Sequence, residues 1–154
     1  MRLWNQTPLY SGGATGMLVH STCRVINTNV AVDLPQVNTV AFSSGTGAVA
    51  GARAFSLLLT CSTGATVSIT VSITVTDSVD PANHGSTLQL ASGSTAQGVG
   101  VQLLNSSGAP IAFGPDSATP GNTNQWTVGA SPNGTLQIPM TARYVRTGTV
   151  SPGQ

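Results

Sequence analysis

The sequence predicts an all-β domain, and three observations support that prediction. Apolar residues alternate with hydroxyl-bearing residues in several short runs, and no window of useful length repeats with a helical period. The runs are separated by segments rich in glycine, proline, asparagine, serine and threonine. Several short strands joined by such loops are typical of two packed sheets, so we expect one β-sandwich domain from these 154 residues.

The clearest strand lies between residues 67 and 76, where serine or threonine separates the apolar positions Val67, Ile69, Val71, Ile73 and Val75. One face of this strand should pack in the core, and the other should be exposed to solvent. Upstream, a second run of one phase is formed by Phe55, Leu57, Leu59 and Cys61. Because only the short stretch CSTGAT separates the two runs, we expect them to pair as an antiparallel hairpin at the centre of a sheet.

Further strands are expected at residues 99–103, 111–113 and 136–140. Pro139 has no N–H group, so the last of these should be at a sheet edge or be interrupted there. The first strand changes phase, because Cys23 and Val25 alternate differently from the residues that follow, Val30, Val32 and Leu34. A bulge or break near residues 27–29 would reconcile the two phases.

Charged residues make up 6% of the chain, which has no lysine, no glutamate and a net charge of +1. This balance gives no electrostatic basis for binding nucleic acid or an anionic membrane. The apolar content of 40%, arranged in patterned runs, argues against disorder. No apolar stretch is long enough for a membrane-spanning helix. The first residues do not form a signal peptide, so an exported chain would carry its signal further upstream.

Cys23 and Cys61 both lie in strand-like sequence. In a cytosolic protein they would be buried thiols, whereas in an exported protein they would form one disulfide. We favour the disulfide, which the loop-entropy model credits with roughly 4 kcal/mol of stabilisation.

We expect no enzyme active site, no metal and no cofactor. His20 and His84 have no metal-ligand spacing, and the glycine-rich stretches match neither a phosphate-binding loop nor a nucleophile elbow. Asp77 and Asp80, in TDSVDP, are better explained as turn formers than as calcium ligands.

From Cys23 onward the chain resembles the pilin domain of chaperone–usher fimbriae. CRVINTNVAVDLPQV resembles the family's first strand with its cysteine, and FSLLLTC the strand with the second cysteine. STAQGVGVQLLNSSGAPIAFG resembles its central hairpin, and IPMTARYVRTGTVSPGQ the stretch before its last strand. Within the family, the chain looks most like the C-terminal pilin domain of a type 1-like fimbrial tip adhesin.

The resemblance implies an incomplete immunoglobulin-like β-sandwich that lacks its seventh strand, which leaves an open groove along the core. A periplasmic pilus chaperone, acting with an outer-membrane usher, would lend a strand, and the adjacent pilin subunit would then replace it by donor-strand complementation. The protein would be exported through the periplasm to a fimbrium on the bacterial cell surface. The resemblance places one wall of the groove at Val25, Val30, Val32 and Leu34.

We expect the pilin domain to span residues 18–154, with residues 1–17 forming a linker or the tail of an upstream receptor-binding domain that alone would bind a host glycan. Family members continue into a final strand after the Pro-Gly turn, so the chain is expected to be C-terminally truncated. Two alternatives stay open beside the tip adhesin: a structural or minor pilin, and an unrelated secreted carbohydrate-binding or accessory β-sandwich. The adhesin is favoured because residues 1–16 lack the alternating apolar run of a donor strand.

Overall fold

The computed structural model describes residues 2–4, 22–62, 68–117 and 119–153, and the predictions for His20 and Val67 lie outside these residues. The strands are β1 (Arg2–Trp4), β2 (Thr22–Val25), β3 (Val49–Ser62), β4 (Thr70–Thr74), β5 (Gln97–Leu104), β6 (Trp126–Ala130) and β7 (Gly134–Ser151). A 3₁₀ helix, Thr39–Phe42, precedes β3. Within the described segments, no helix has the length and apolar character needed to cross a membrane.

The strands form two antiparallel sheets, in the orders β2–β3–β7–β5 and β1–β4–β6. Apolar side chains from both sheets meet in one core, together with two residues that follow β5, Ile111 and Phe113. The most deeply buried large side chains are Phe113, Leu59, Ile73 and Val71. The predicted all-β sandwich is therefore confirmed.

The predicted hairpin between the two clearest apolar runs is wrong. β3 pairs with β2 and β7, whereas β4 pairs with β1 and β6, so the two strands belong to different sheets. Their apolar faces pack against each other across the core, where Leu57 and Leu59 of β3 join Val71 and Ile73 of β4. The physical reason is that alternation identifies the buried face of a strand but not its hydrogen-bonded neighbour.

β7 is an interior strand, yet Pro139 lies where it has only one neighbour. Pro139 is opposite Ser56 of β3, and the pairing of β7 with β5 begins at Thr141. The missing N–H therefore costs no bond to β5, because β5 has already ended. The expectation that proline would mark an edge is met locally, although not for the strand as a whole.

The predicted break after the first strand is present, since β2 ends at Val25. Immediately afterwards, the N–H of Ile26 donates to the carbonyl of Leu58 at 2.8 Å. The Asn27 side chain then makes the hydrogen bonds to β3 that the backbone of a continuing strand would make. Its Nδ2 donates to the Ser56 carbonyl at 3.0 Å, and its Oδ1 accepts from the Leu58 N–H at 2.9 Å. By bonding the edge of β3, Asn27 frees its own backbone to leave the sheet.

Candidate functional site

The disulfide joins the first two strands of the larger sheet. Cys23 of β2 lies directly opposite Cys61 of β3, with a Cα–Cα distance of 4.1 Å and a sequence separation of 38. Cys61 is also part of the buried core. The bridge therefore fastens an edge strand of only four residues to β3, a strand of 14 residues whose apolar side chains lie in the core.

The next segment, residues 28–37, is unusual because it has no strand partner. None of its backbone groups bonds to another backbone group among the described residues. Its side chains nevertheless alternate, with Ala31 and Asp33 exposed and Val32 and Leu34 half-buried. This alternation is typical of an extended strand with one face on a core. We call residues 28–37 the acceptor segment, because none of its backbone groups has a backbone partner within the described residues.

Three of the four predicted groove residues lie in the acceptor segment. Val32 and Leu34 are half-buried, and Val30 is 37% exposed. Val25 is separate from them, because it lies in β2 opposite Leu59. The role of all four as a groove wall stays a prediction.

The acceptor segment is held over the larger sheet at two points. The Arg53 Nε donates to the carbonyl of Asp33 at 3.1 Å. Further along, Val37 packs closely over Gly51: a Cβ on Gly51 would lie 3.0 Å from the Val37 Cγ1 and 2.9 Å from the Tyr144 ring. Gly51 also has a φ of +66°, which glycine adopts without strain. The absence of a side chain at residue 51 thus lets the segment approach the sheet.

A groove of about 610 Å³ begins where the acceptor segment ends. Its apolar lining comes from residues far apart in the chain and consists of Val37, Phe42, Leu90, Ala96, Val99, Tyr144, Val150 and Pro152. The remaining lining residues are neutral, with hydroxyl or amide groups on Gln36, Thr39, Ser94 and Ser151. A groove of this composition fits an uncharged, apolar occupant with a few polar groups at its rim.

Arg146 fixes one wall of this groove. Its Nη1 donates to the carbonyl of Phe42 and its Nε to the carbonyl of Gly148, each at 2.7 Å. Both bonds are part-buried, and hydrogen bonds from a charged donor are stronger than neutral ones. The 3₁₀ helix that carries Phe42 is therefore tied to β7.

The two aspartates of TDSVDP organise a loop, as predicted. Asp77 is buried, and its Oδ1 accepts from the N–H groups of Val79 and Asp80, while its Oδ2 accepts from Asn83 Nδ2. The Asn83 hydrogen bond, with smaller contributions from the two backbone N–H groups, lowers the pKa of Asp77 despite the opposing effect of burial. Among the described residues, no three metal-ligating side chains lie close enough together to hold an ion.

None of the residues that line this groove was predicted as a site residue. Its aromatic members, Phe42 and Tyr144, are not among the predicted site residues. The position of Tyr144 could have been inferred, because it continues the alternation of Met140 and Ala142 along β7. Phe42 could not, because its place depends on a hydrogen bond to Arg146, which is 104 residues away.

Comparisons with known proteins agree with this architecture. The family model described as "Fimbrial protein" matches residues 13–154. The F17c-G fimbrial adhesin of Escherichia coli is 39% identical over 113 residues, which is 72% of this chain and 31% of that protein. The chain thus spans about a third of the length of the curated relatives it matches.

Two solved structures are also similar. The CupB6 tip adhesin of Pseudomonas aeruginosa matches 79% of this chain and 33% of its own chain, at 19% identity and a TM-score of 0.51, a likeness in fold. An antigen and type I fimbria protein of Burkholderia pseudomallei matches 88% of this chain and 90% of its own, at 24% identity and a TM-score of 0.46. The family model matches nearly the whole sequence, which excludes the alternative of an unrelated secreted β-sandwich. The chain belongs to the fimbrial protein family.

Proposed function

We propose that the chain is the pilin domain of a fimbrial adhesin and that it assembles by accepting a β-strand from another protein. Residues 18–154 would form the domain, and residues 1–17 the end of an upstream receptor-binding domain or a linker to it. A host glycan would be bound by that upstream domain. The curated relatives are adhesins that extend well beyond the matched part, which supports this division over a structural or minor pilin.

The observation that carries the proposal is the acceptor segment with its unpaired backbone. An unpaired, half-apolar edge is the surface that β-strand addition requires, because main-chain hydrogen bonds supply affinity and side-chain pockets supply specificity. The groove of about 610 Å³ continues from the end of the segment and offers the apolar pocket. A periplasmic pilus chaperone would supply the strand first, at the usher an adjacent subunit would replace it, and the assembled domain would lie in a fimbrium on the cell surface.

Peptide binding to the purified domain tests the proposal. The probe is a synthetic peptide in which valine and threonine alternate, and the control peptide has the same composition with its valines placed in adjacent pairs. A ligand at a hundred times its Kd stabilises the folded state by about 2.7 kcal/mol, which raises the Tm of a domain of this size by roughly 5–10 °C. We expect that increase with the alternating peptide only.

The control peptide separates strand addition from general stickiness. An equal rise in Tm with both peptides would mean that apolar surface alone is recognised, and no rise with either would overturn the proposal. A direct check in the periplasm is co-purification of the domain with a co-expressed pilus chaperone.

A further inference from the structure

Arg53 occupies an unexpected position on β3. It precedes Phe55, Leu57 and Leu59 at alternate positions, so its side chain leaves the core-facing side of the strand. Its partner in the sheet is Ala142, which is 3% exposed. Arg53 is nevertheless exposed, because it extends past the core to the acceptor segment. There it uses its Nε to bind the Asp33 carbonyl.

This one bond defines the two edges of the acceptor segment. In an extended strand, the N–H and C=O of one residue point to the same edge, and those of its neighbours point to the opposite edge. The Asp33 carbonyl is directed at Arg53. The backbone groups of Ala31 and Pro35 therefore share the edge of Asp33, and those of Val30, Val32 and Leu34 lie on the opposite edge.

The position of Pro35 agrees with this assignment. Proline has no N–H to give, so it would interrupt a ladder if it stood on the pairing edge. On the edge that faces Arg53 it interrupts nothing. The opposite edge, which we take as the pairing edge, carries the backbone groups of Val30, Val32 and Leu34. Each of these residues has both an N–H donor and a C=O acceptor.

We propose that Arg53 is a positioning residue, which clamps the acceptor segment so that Val30, Val32 and Leu34 present their backbone groups to an incoming strand. This inference rests on the proposed strand acceptance. Replacing Arg53 should release the segment without removing any apolar contact of the core.

The test combines three variants with amide hydrogen exchange measured by NMR. With the alternating valine–threonine peptide bound to the native domain, we expect protection of the amides of Val32 and Leu34 but not of Ala31 and Asp33. Arg53→Gln should blur this alternation and weaken peptide binding about five- to tenfold, the effect of losing one charge-assisted hydrogen bond. Arg53→Lys keeps a charged donor and should restore most of the affinity.

Arg24→Gln is the matched control. Arg24 is likewise exposed, and its guanidinium has no hydrogen-bond or ion-pair partner within the parts of the chain that the structure describes. It lies in β2, and its replacement should leave affinity and exchange unchanged. An equal loss of affinity in both variants would mean that only positive charge matters, which would overturn the clamp.

Measurements on the free domain keep the inference separate from the proposed function. Without peptide, Arg53→Gln should lower the backbone order parameters of residues 30–36, and Arg24→Gln should not. Unchanged order parameters would overturn the clamp even if the peptide binds. Failure of the native domain to bind any peptide would overturn strand acceptance, while the order parameters would still decide whether Arg53 holds the segment.

Discussion

The two halves of this sandwich use the same sequence pattern in opposite ways. Around the disulfide, alternating apolar residues of β3 and β4 face each other, and Leu59 and Ile73 are completely buried. Around the acceptor segment, the same alternation leaves Val32 and Leu34 half-buried and their backbone unpaired. We call the region around β3 and β4 the closed half and the region around the acceptor segment the open half. The contrast shows that alternation specifies an extended segment with one apolar face. Whether its backbone is hydrogen-bonded and its apolar face is buried depends on the neighbouring strands.

The comparison predicts that changes in the closed half reduce stability and that changes in the open half reduce strand binding. The largest expected effect follows from removing the disulfide with the double variant Cys23→Ala and Cys61→Ala. The bridge closes a loop with a sequence separation of 38, so the free energy of unfolding should fall by roughly 4 kcal/mol. Urea unfolding of the oxidised and reduced native chain, with the double variant alongside, measures it. A reduced chain as stable as the oxidised chain would contradict the assignment.

The second effect concerns the core of the closed half. Leu59→Ala should lower the free energy of unfolding by about 3 kcal/mol, because it removes a fully buried side chain and leaves a cavity. Val40→Ala is the matched control, since Val40 is 71% exposed and its truncation should cost less than about 0.5 kcal/mol. Similar losses in the two variants, measured by chemical denaturation, would remove the distinction between buried and exposed positions.

A smaller effect is expected for Asp77, whose pKa is lowered by its hydrogen bond from Asn83. A carboxyl group with a folded-state pKa below its unfolded value of 3.8 stabilises the fold above that pH, and this contribution is lost as the pH falls through the folded-state pKa. Asp77→Asn should cost about 1 kcal/mol at neutral pH and have a weaker acid dependence. Thermal unfolding between neutral and strongly acidic pH measures both, with Asp116→Asn as the comparison. An unchanged acid dependence would refute the role of Asp77.

The smallest effect on stability should come from the open half. Leu34→Ser should change the free energy of unfolding by less than about 1 kcal/mol, because Leu34 is only half-buried. Its affinity for the alternating peptide should nevertheless fall about tenfold, since an apolar contact with the incoming strand is lost. Ala31→Ser, on the exposed face of the same segment, should change neither quantity. A large loss of stability in Leu34→Ser would place that residue in the closed half instead.

The sequence predicted the positions of strands and their apolar faces better than the pairing of strands within the sheets. The apolar faces of β3, β4 and β7 follow from local alternation, and Asn27 marks a break that the change of phase required. The strands that pair with β3 and β4 could not be predicted from the sequence. Two buried strands that follow each other in the chain can pair in one sheet or pack against each other from two different sheets. The groove of about 610 Å³ depends on contacts between residues far apart in the chain, such as Arg146 and Phe42, so none of its lining residues was predicted from the pattern.

Pro139 bears on a hazard of every protein with an unpaired strand edge, which is uncontrolled aggregation. The part of β7 before Thr141 has β3 on one side and no strand on the other within the described residues. An unpaired edge of this kind can join the same edge of another molecule and lead to disordered association. Proline withdraws one donor from that edge, whereas in the edge assignment inferred above the acceptor segment keeps its donors on the edge opposite Arg53. The domain thus discourages association at one bare edge, and under the proposed strand acceptance it leaves another edge open to a specific partner.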